Sequence, residues 1–163
     1  MMILVVALDG VARADVPTVP TMECALVSTV SDSYNMDGTF IGMDLETVRR
    51  KRGTPKNEIH PTVAPRDLLW MYDKDHNIRF VDNAVVFVTG TTLKHGSKIV
   101  LSCGARFDTS KFPHATVQHG QETKEGAVDG YTIDTPLPSQ RVLILVHKGT
   151  IVGLQLFLVD KAP

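Results

Sequence analysis

Apolar and polar positions alternate most clearly between Leu68 and Thr89, and the chain is read outward from there. Leu68 to Tyr72 and Ile78 to Val81 are β-rich runs separated by the polar stretch Asp73-Lys74-Asp75-His76-Asn77. Ala84 to Thr89 follows Asp82-Asn83, a pair that tolerates positive φ and so suits a tight turn. A three-stranded antiparallel meander is predicted. With a period of two, Ile78 and Phe80 share one face, as do Trp70 and Tyr72 on their own strand. Upstream the pattern becomes that of a short helix. Asp44 is placed as N-cap with Glu46 in the first turn, and Met43 and Val48 have the spacing of a hydrophobic staple. Arg49 to Arg52 put positive charge at the C-terminal end, Gly53 can take a left-handed cap, and Pro55 prevents continuation.

A second copy of this plan is read further on. Leu143 to Val146, His147-Lys148-Gly149 and Ile151 to Leu156 echo Ile78 to Val81, Asp82-Asn83 and Val85 to Val88. Tyr131-Thr132-Ile133 then stands where Trp70-Met71-Tyr72 stands. The matching helix is placed in Ser97 to Cys103, where Ile99, Val100 and Cys103 have helical spacing, although Ile99-Val100-Leu101 also reads as a strand. Ser31 to Gly38 reads as a loop, Lys56 to Arg66 as an extended connection, and Phe107 to Gly130 as a long loop with at most one strand. Ala25 to Val30 fits a strand or a short helix. The expected fold class is α+β: tandem helix plus three-stranded antiparallel meander units, the second copy degenerate, with units at about 38–90 and 91–160 of a single domain spanning 15–163.

Composition narrows the class. A chain of 163 residues, 43% apolar and 21% charged, is sufficient for one packed core. A net charge of −1 argues against a nucleic-acid or anionic-membrane surface as the main partner. No apolar run approaches the ~20 residues of a transmembrane helix. Met1 to Leu8 is apolar, and Ala12-Arg13-Ala14 before Asp15 has the small-x-small form of a signal-peptidase site, so residues 1–14 are read as a signal peptide; the competing reading is a buried strand from Ile3 to Leu8. Cys24 and Cys103 are the number that one disulfide needs, and such a bond is expected to persist in an exported protein. The expected location is periplasmic or secreted.

Gly42-Met43, Val48 and Gly53-Thr54-Pro55, followed by an aromatic strand and a hairpin, resemble the BamE (SmpA/OmlA) family of outer-membrane assembly proteins. The tandem form is similar in plan to the β-lactamase inhibitor protein fold. The chain differs from the family at Lys51 and Arg52, where apolar residues are usual, and it lacks the lipid-attachment cysteine. The resemblance implies a non-enzymatic protein of the cell envelope that binds another protein through its sheet and loops.

Candidate chemistry is sparse. The six histidines lack the spacing of metal ligands, and no nucleophile elbow, phosphate loop or dinucleotide fingerprint is present, so neither a cofactor nor a metal is expected. The basic run Arg49 to Arg52 is read first as a helix end matched to its dipole. Trp70 and Tyr72 are the candidate binding anchors, with Arg79 and Arg49 at the rim, because aromatic and arginine side chains dominate protein interfaces; the competing reading is that Trp70 and Tyr72 fill the core against the helix. The alternative function is a small thiol-dependent or hydrolytic enzyme using Cys103 and a histidine such as His95 or His119.

Overall fold

Tight hairpins form where the sequence tolerates positive φ. In the computed structural model, which describes residues 33–123 and 126–159, Asp82 and Asn83 have φ of 52° and 64°, and Lys148 and Gly149 have 48° and 78°. In chain order the elements are β1 (Tyr34–Met36), β2 (Thr39–Phe40), α1 (Leu45–Arg52), β3 (Asn57–Ile59), β4 (Asp67–Met71), β5 (Asn77–Val81) and β6 (Ala84–Gly90). Then come β7 (Thr92–His95), β8 (Lys98–Ser102), a 3-10 turn at Thr109–Lys111, β9 (Thr116–Thr123), β10 (Gly126–Asp134), β11 (Gln140–His147) and β12 (Thr150–Leu158). The strands form two antiparallel sheets: one of four in the order β2-β1-β7-β8, and one of eight in the order β3-β4-β5-β6-β12-β11-β10-β9.

The halves repeat backbone bonds position for position. Gly42 N–H donates to Val85 O (2.8 Å), Val85 N–H to Met43 O (3.0 Å) and Leu45 N–H to Asn83 O (3.0 Å). Gly104 N–H likewise donates to Ile151 O (2.8 Å), Ile151 N–H to Ala105 O (2.9 Å) and Phe107 N–H to Gly149 O (2.9 Å). Each half is thus a hairpin followed by a four-stranded meander, and the halves join along β1 and β7 in one sheet and β6 and β12 in the other.

This corrects the expected α+β class. The fold is mostly β, and α1 is the one α-helix among the described residues. Where α1 stands in the first half, the second has only the 3-10 turn, whose N-cap Asp108 accepts from Ser110 N–H. The segment from Ser97 to Cys103 is no helix. Its residues form β8, with Leu101 opposite Leu93 and Ser102 opposite Thr92, because pairing with β7 satisfies its backbone and buries Leu101. β1 arises from a stretch expected as loop, β3 from the extended connection, and β9 with the start of β10 from the segment expected to hold at most one strand. Their polar side chains gave no alternation to read, yet ladder bonds need none. Residues 1–14, the segment Ala25 to Val30 and Cys24 lie outside the described residues.

The core lies between the sheets and under α1. Trp70, Phe80, Ile78, Val88, Ile144, Leu154 and Leu156 come from the large sheet, Met36 and Leu93 from the small one, and Val48 from the helix. α1 forms as its local signals require: Asp44 Oδ1 accepts from Thr47 N–H at 2.8 Å, and Gly53, at φ 81°, donates its N–H to Arg49 O. Burying Val48 completely contributes about 1.5–3 kcal/mol. Gly90, at the crossover from β6 to β7, is required by packing: a Cβ there would overlap Asp37 Oδ2 and fall 2.6 Å from Met36 Cγ.

Candidate functional site

The predicted anchors divide between the two faces of the large sheet. Trp70 is fully buried in the core, as the second of its two readings has it: its indole N–H donates to Glu58 Oε2 at 2.9 Å and its ring packs edge-on against Phe80. Arg49 lies over that ring, 5.0 Å from its centroid, and reaches Glu58 at 3.9 Å. Tyr72 is partly buried beside it, its hydroxyl donating to Gly53 O at 3.2 Å, and burial raises the phenol pKa. Arg49, Trp70 and Tyr72 therefore come together at the helix end. Arg79 stands on the opposite face, its Nε donating to Asp67 at 2.9 Å.

That opposite face carries what the sequence reading missed. Strand register aligns Leu69 with Arg79, Arg79 with Phe87, Phe87 with Phe157, Phe157 with Arg141, and Arg141 with Asp134. One row across six strands thus places two phenylalanines at the centre and an arginine on either side. Arg141 pairs with Asp134 at 2.6 Å as Arg79 pairs with Asp67. Leu143 and Leu145 lie beside this row on β11 and Met71 on β4. Leu69, Phe87, Leu143 and Phe157 are all partly exposed, and none belongs to the core cluster. The available signal was Phe157, which alternates with the inward Leu154 and Leu156. Phe87 was hidden by the bulge between Arg79 and Phe80, which resets the facing of β6 against β5.

Cys103 lies in a cleft of about 510 Å³ with Asp75, Asn77, Thr89, Thr91 and Gln155. Among the described residues its thiol is free, so the expected disulfide is not supported; Cys24 lies outside them. Burial first, then the Asp75 and Asp37 carboxylates, push its pKa up. An activated nucleophile needs the reverse. The histidines named with it are elsewhere: His95 is opposite Lys98 at the far end of the β7–β8 hairpin and stacks on Tyr34, and His119 faces Asp129 at 3.1 Å on the outer strand β9. Next to the cleft, His76 bridges Asp73 (2.8 Å from Nδ1) and Asp37 (3.2 Å from Nε2). Asp73 is held below the ordinary carboxylate range, chiefly by the His76 ring and then by the Asp75 amide.

No family model matches the sequence, and no curated protein is similar to it. Among the solved structures that share the fold are two. One is an extracellular protein containing a SCP domain from Bacillus anthracis str. Ames, at 15% identity and TM-score 0.52, covering 74% of this chain and 44% of that one. The other is a cysteine-rich secretory protein from Staphylococcus aureus subsp. aureus Mu50, at 13% identity and TM-score 0.52, covering 77% and 46%. The chain spans less than half the length of either protein. At such identities the likeness is one of fold. It replaces the BamE-like and inhibitor-like resemblance, which rested on the punctuation of one helix and one hairpin, features that local chemistry produces in many folds. No helix among the described residues is long and apolar enough to cross a membrane.

Proposed function

We propose that this chain is a non-catalytic, protein-binding module of an exported protein, and that it docks through the outer face of its eight-stranded sheet. The observation that carries this reading is the row Leu69, Arg79, Phe87, Phe157, Arg141, Asp134, an apolar centre flanked by ion-paired arginines. Interfaces have this anatomy, with aromatic and arginine anchors inside a polar rim. The breadth of the face, one row across six strands, suits a folded protein surface with a matching apolar patch. Export is supported by the fold it shares with an extracellular and a secretory protein. The raised thiol pKa of Cys103 and the distance of His95 along its hairpin weigh against the thiol-enzyme reading.

The test is site-specific photo-crosslinking of the full chain in the cells that produce it. A crosslinking residue at Phe157 or Leu143 is expected to yield one discrete protein adduct that disappears when Phe87 is changed to Ser. The same residue at Glu46, on the exposed side of α1, should yield none. Equal adducts from both positions, or none from the sheet, would sink the reading.

A further inference from the structure

The cleft beside Cys103 adjoins the apolar row on the outer face of the large sheet. Thr89 and Gln155 stand opposite each other in register, and both line the cleft. Thr89 lies two residues beyond Phe87 on β6, Gln155 two residues before Phe157 on β12, and Asn77 two residues before Arg79 on β5. The Asn77 amide also donates to Thr89 Oγ1 at 2.8 Å. Side chains two residues apart on a strand share a face, so these three form the next row of the sheet, about 7 Å from the first. The first row is apolar at its centre, whereas this one is polar and borders the cleft. β6 ends here at Gly90 and the chain leaves for the small sheet. Gly90, Gly104 and Gly153 add no side chains to the walls, which enclose about 510 Å³.

The field inside that cleft is set by carboxylates. On Cys103, which lines it, the charges that act are those of Asp75 and Asp37, and both add to burial in raising the thiol pKa. Asp37 is already engaged, since its Oδ2 accepts Thr91 N–H at 2.8 Å. Asp75 differs. Among the described residues its carboxylate has one ion-pair partner, the Lys74 ammonium at 3.9 Å, and the lysine side chain is 84% exposed. An exposed pair at that distance contributes little to stability and exchanges readily for another. Lys74 is also the one basic residue on the cleft wall. The cleft thus presents an anion together with hydroxyl and amide groups, while its own lysine stays in solvent.

We infer, on the basis of the docking role proposed for this face, that the cleft is a cation subsite, which receives a lysine or arginine side chain that the docked protein carries beside its apolar patch. The charged end of that side chain meets the Asp75 carboxylate, and the Gln155 amide oxygen and the Thr91 hydroxyl are further acceptors in the same walls. Val152 and Cys103 supply apolar wall for the aliphatic stem. The arginines of the first row do not compete for Asp75, because Arg79 and Arg141 are held by Asp67 and Asp134.

The test follows backbone amide resonances of the full chain while Nα-acetyl-lysine amide is added, with Nα-acetyl-norleucine amide as the uncharged match. The lysine probe is expected to shift Asp75, Thr91, Gly104 and Gly153 along one saturable curve, and the norleucine probe to shift none of them. Asp75→Asn keeps the turn, because the bonds to Asp73 and Thr89 use the Asp75 backbone. It is expected to weaken the lysine probe about threefold, and Lys74→Met, which removes the competing ammonium, to tighten it about twofold. Absence of saturable shifts, equal shifts from both probes, or an unchanged affinity in Asp75→Asn each overturns the subsite. Photo-crosslinking at Phe157, run beside the titration, separates this from the docking role. An adduct that forms without probe binding removes the subsite and leaves the docking face. Probe binding without an adduct removes the docked protein as the source of the cation. An adduct whose yield falls in Asp75→Asn supports both.

Discussion

Arg52 shows how a residue can oppose the local pattern and still belong to the fold. At the end of a short helix a basic side chain reads as a solvated match to the dipole, yet Arg52 turns inward. Its Nε donates to Thr39 Oγ1 at 2.7 Å, and one terminal nitrogen donates to the carbonyls of Met36 (3.0 Å) and Asp37 (3.1 Å). Burial lowers its pKa, with the Asp37 carboxylate opposing that effect. Replacing it with Ala leaves three acceptors of the β1–β2 turn without their donor. Arg52→Ala is expected to lower stability by about 2–3 kcal/mol in chemical denaturation. Arg52→Lys should recover only part of that, because one ammonium cannot reproduce the planar spread of donors. The same lesson applies to Trp70 and Tyr72. The period of two correctly pairs Ile78 with Phe80, but it cannot say which face of a strand is inside when Leu69, Met71 and Phe87 make the other face apolar as well.

At the scale of elements, α1 was legible in full because everything that starts and stops it is local: Asp44, Val48, Gly53 and Pro55 lie within one short stretch. Asp44 ties that helix to pH. Its carboxyl is held below the ordinary aspartate range by the Thr47 side chain, then by the Thr47 amide. The folded state therefore binds this proton less readily than the unfolded chain does. The stabilisation is present above the ordinary aspartate range and is lost as pH falls through the lowered folded value. The Tm difference between wild type and Asp44→Ala is expected to be positive near neutral pH and to close as pH falls below the ordinary aspartate range. A gap that stays constant with pH would show that the cap does not depend on the charge. The strands of the second half were legible only where they form the central hairpin. β11 and β12 are buried on alternate residues and read as strands, whereas β8 and β9 owe their conformation to neighbours that are remote or polar.

At the scale of the whole molecule, the two halves interlock. Tyr34 to Met36 of the first half pairs with Leu93 to His95 of the second, and Phe87 to Gly90 pairs with Leu154 to Phe157. Each half therefore supplies an interior strand to both sheets, and either alone would expose two unpaired strand edges and half of a core. Polypeptides covering 33–90 and 91–159 are expected to lack cooperative thermal transitions when separate and to regain β-sheet circular dichroism when mixed. Two separate transitions of native-like amplitude would show that the halves are autonomous. Interlocking also explains why the α+β expectation fails. A reading unit by unit finds one helix and two hairpins and assigns each its own meander, while the decisive pairings join residues far apart in sequence.

The sequence by itself determined what depends on neighbours a few residues away. It set the helix from Asp44 to Gly53, the turns at Asp82-Asn83 and Lys148-Gly149, and the alternation along the central hairpins, because caps, positive φ and side-chain parity act over one or two turns of chain. Only the tertiary structure decided which face of the large sheet is covered. It also decided that Ser97 to Cys103 extends beside β7 instead of coiling, and that His76 lies between carboxylates from the turns of both sheets. These outcomes rest on pairing and burial between distant segments, whose energy depends on where the rest of the chain has gone.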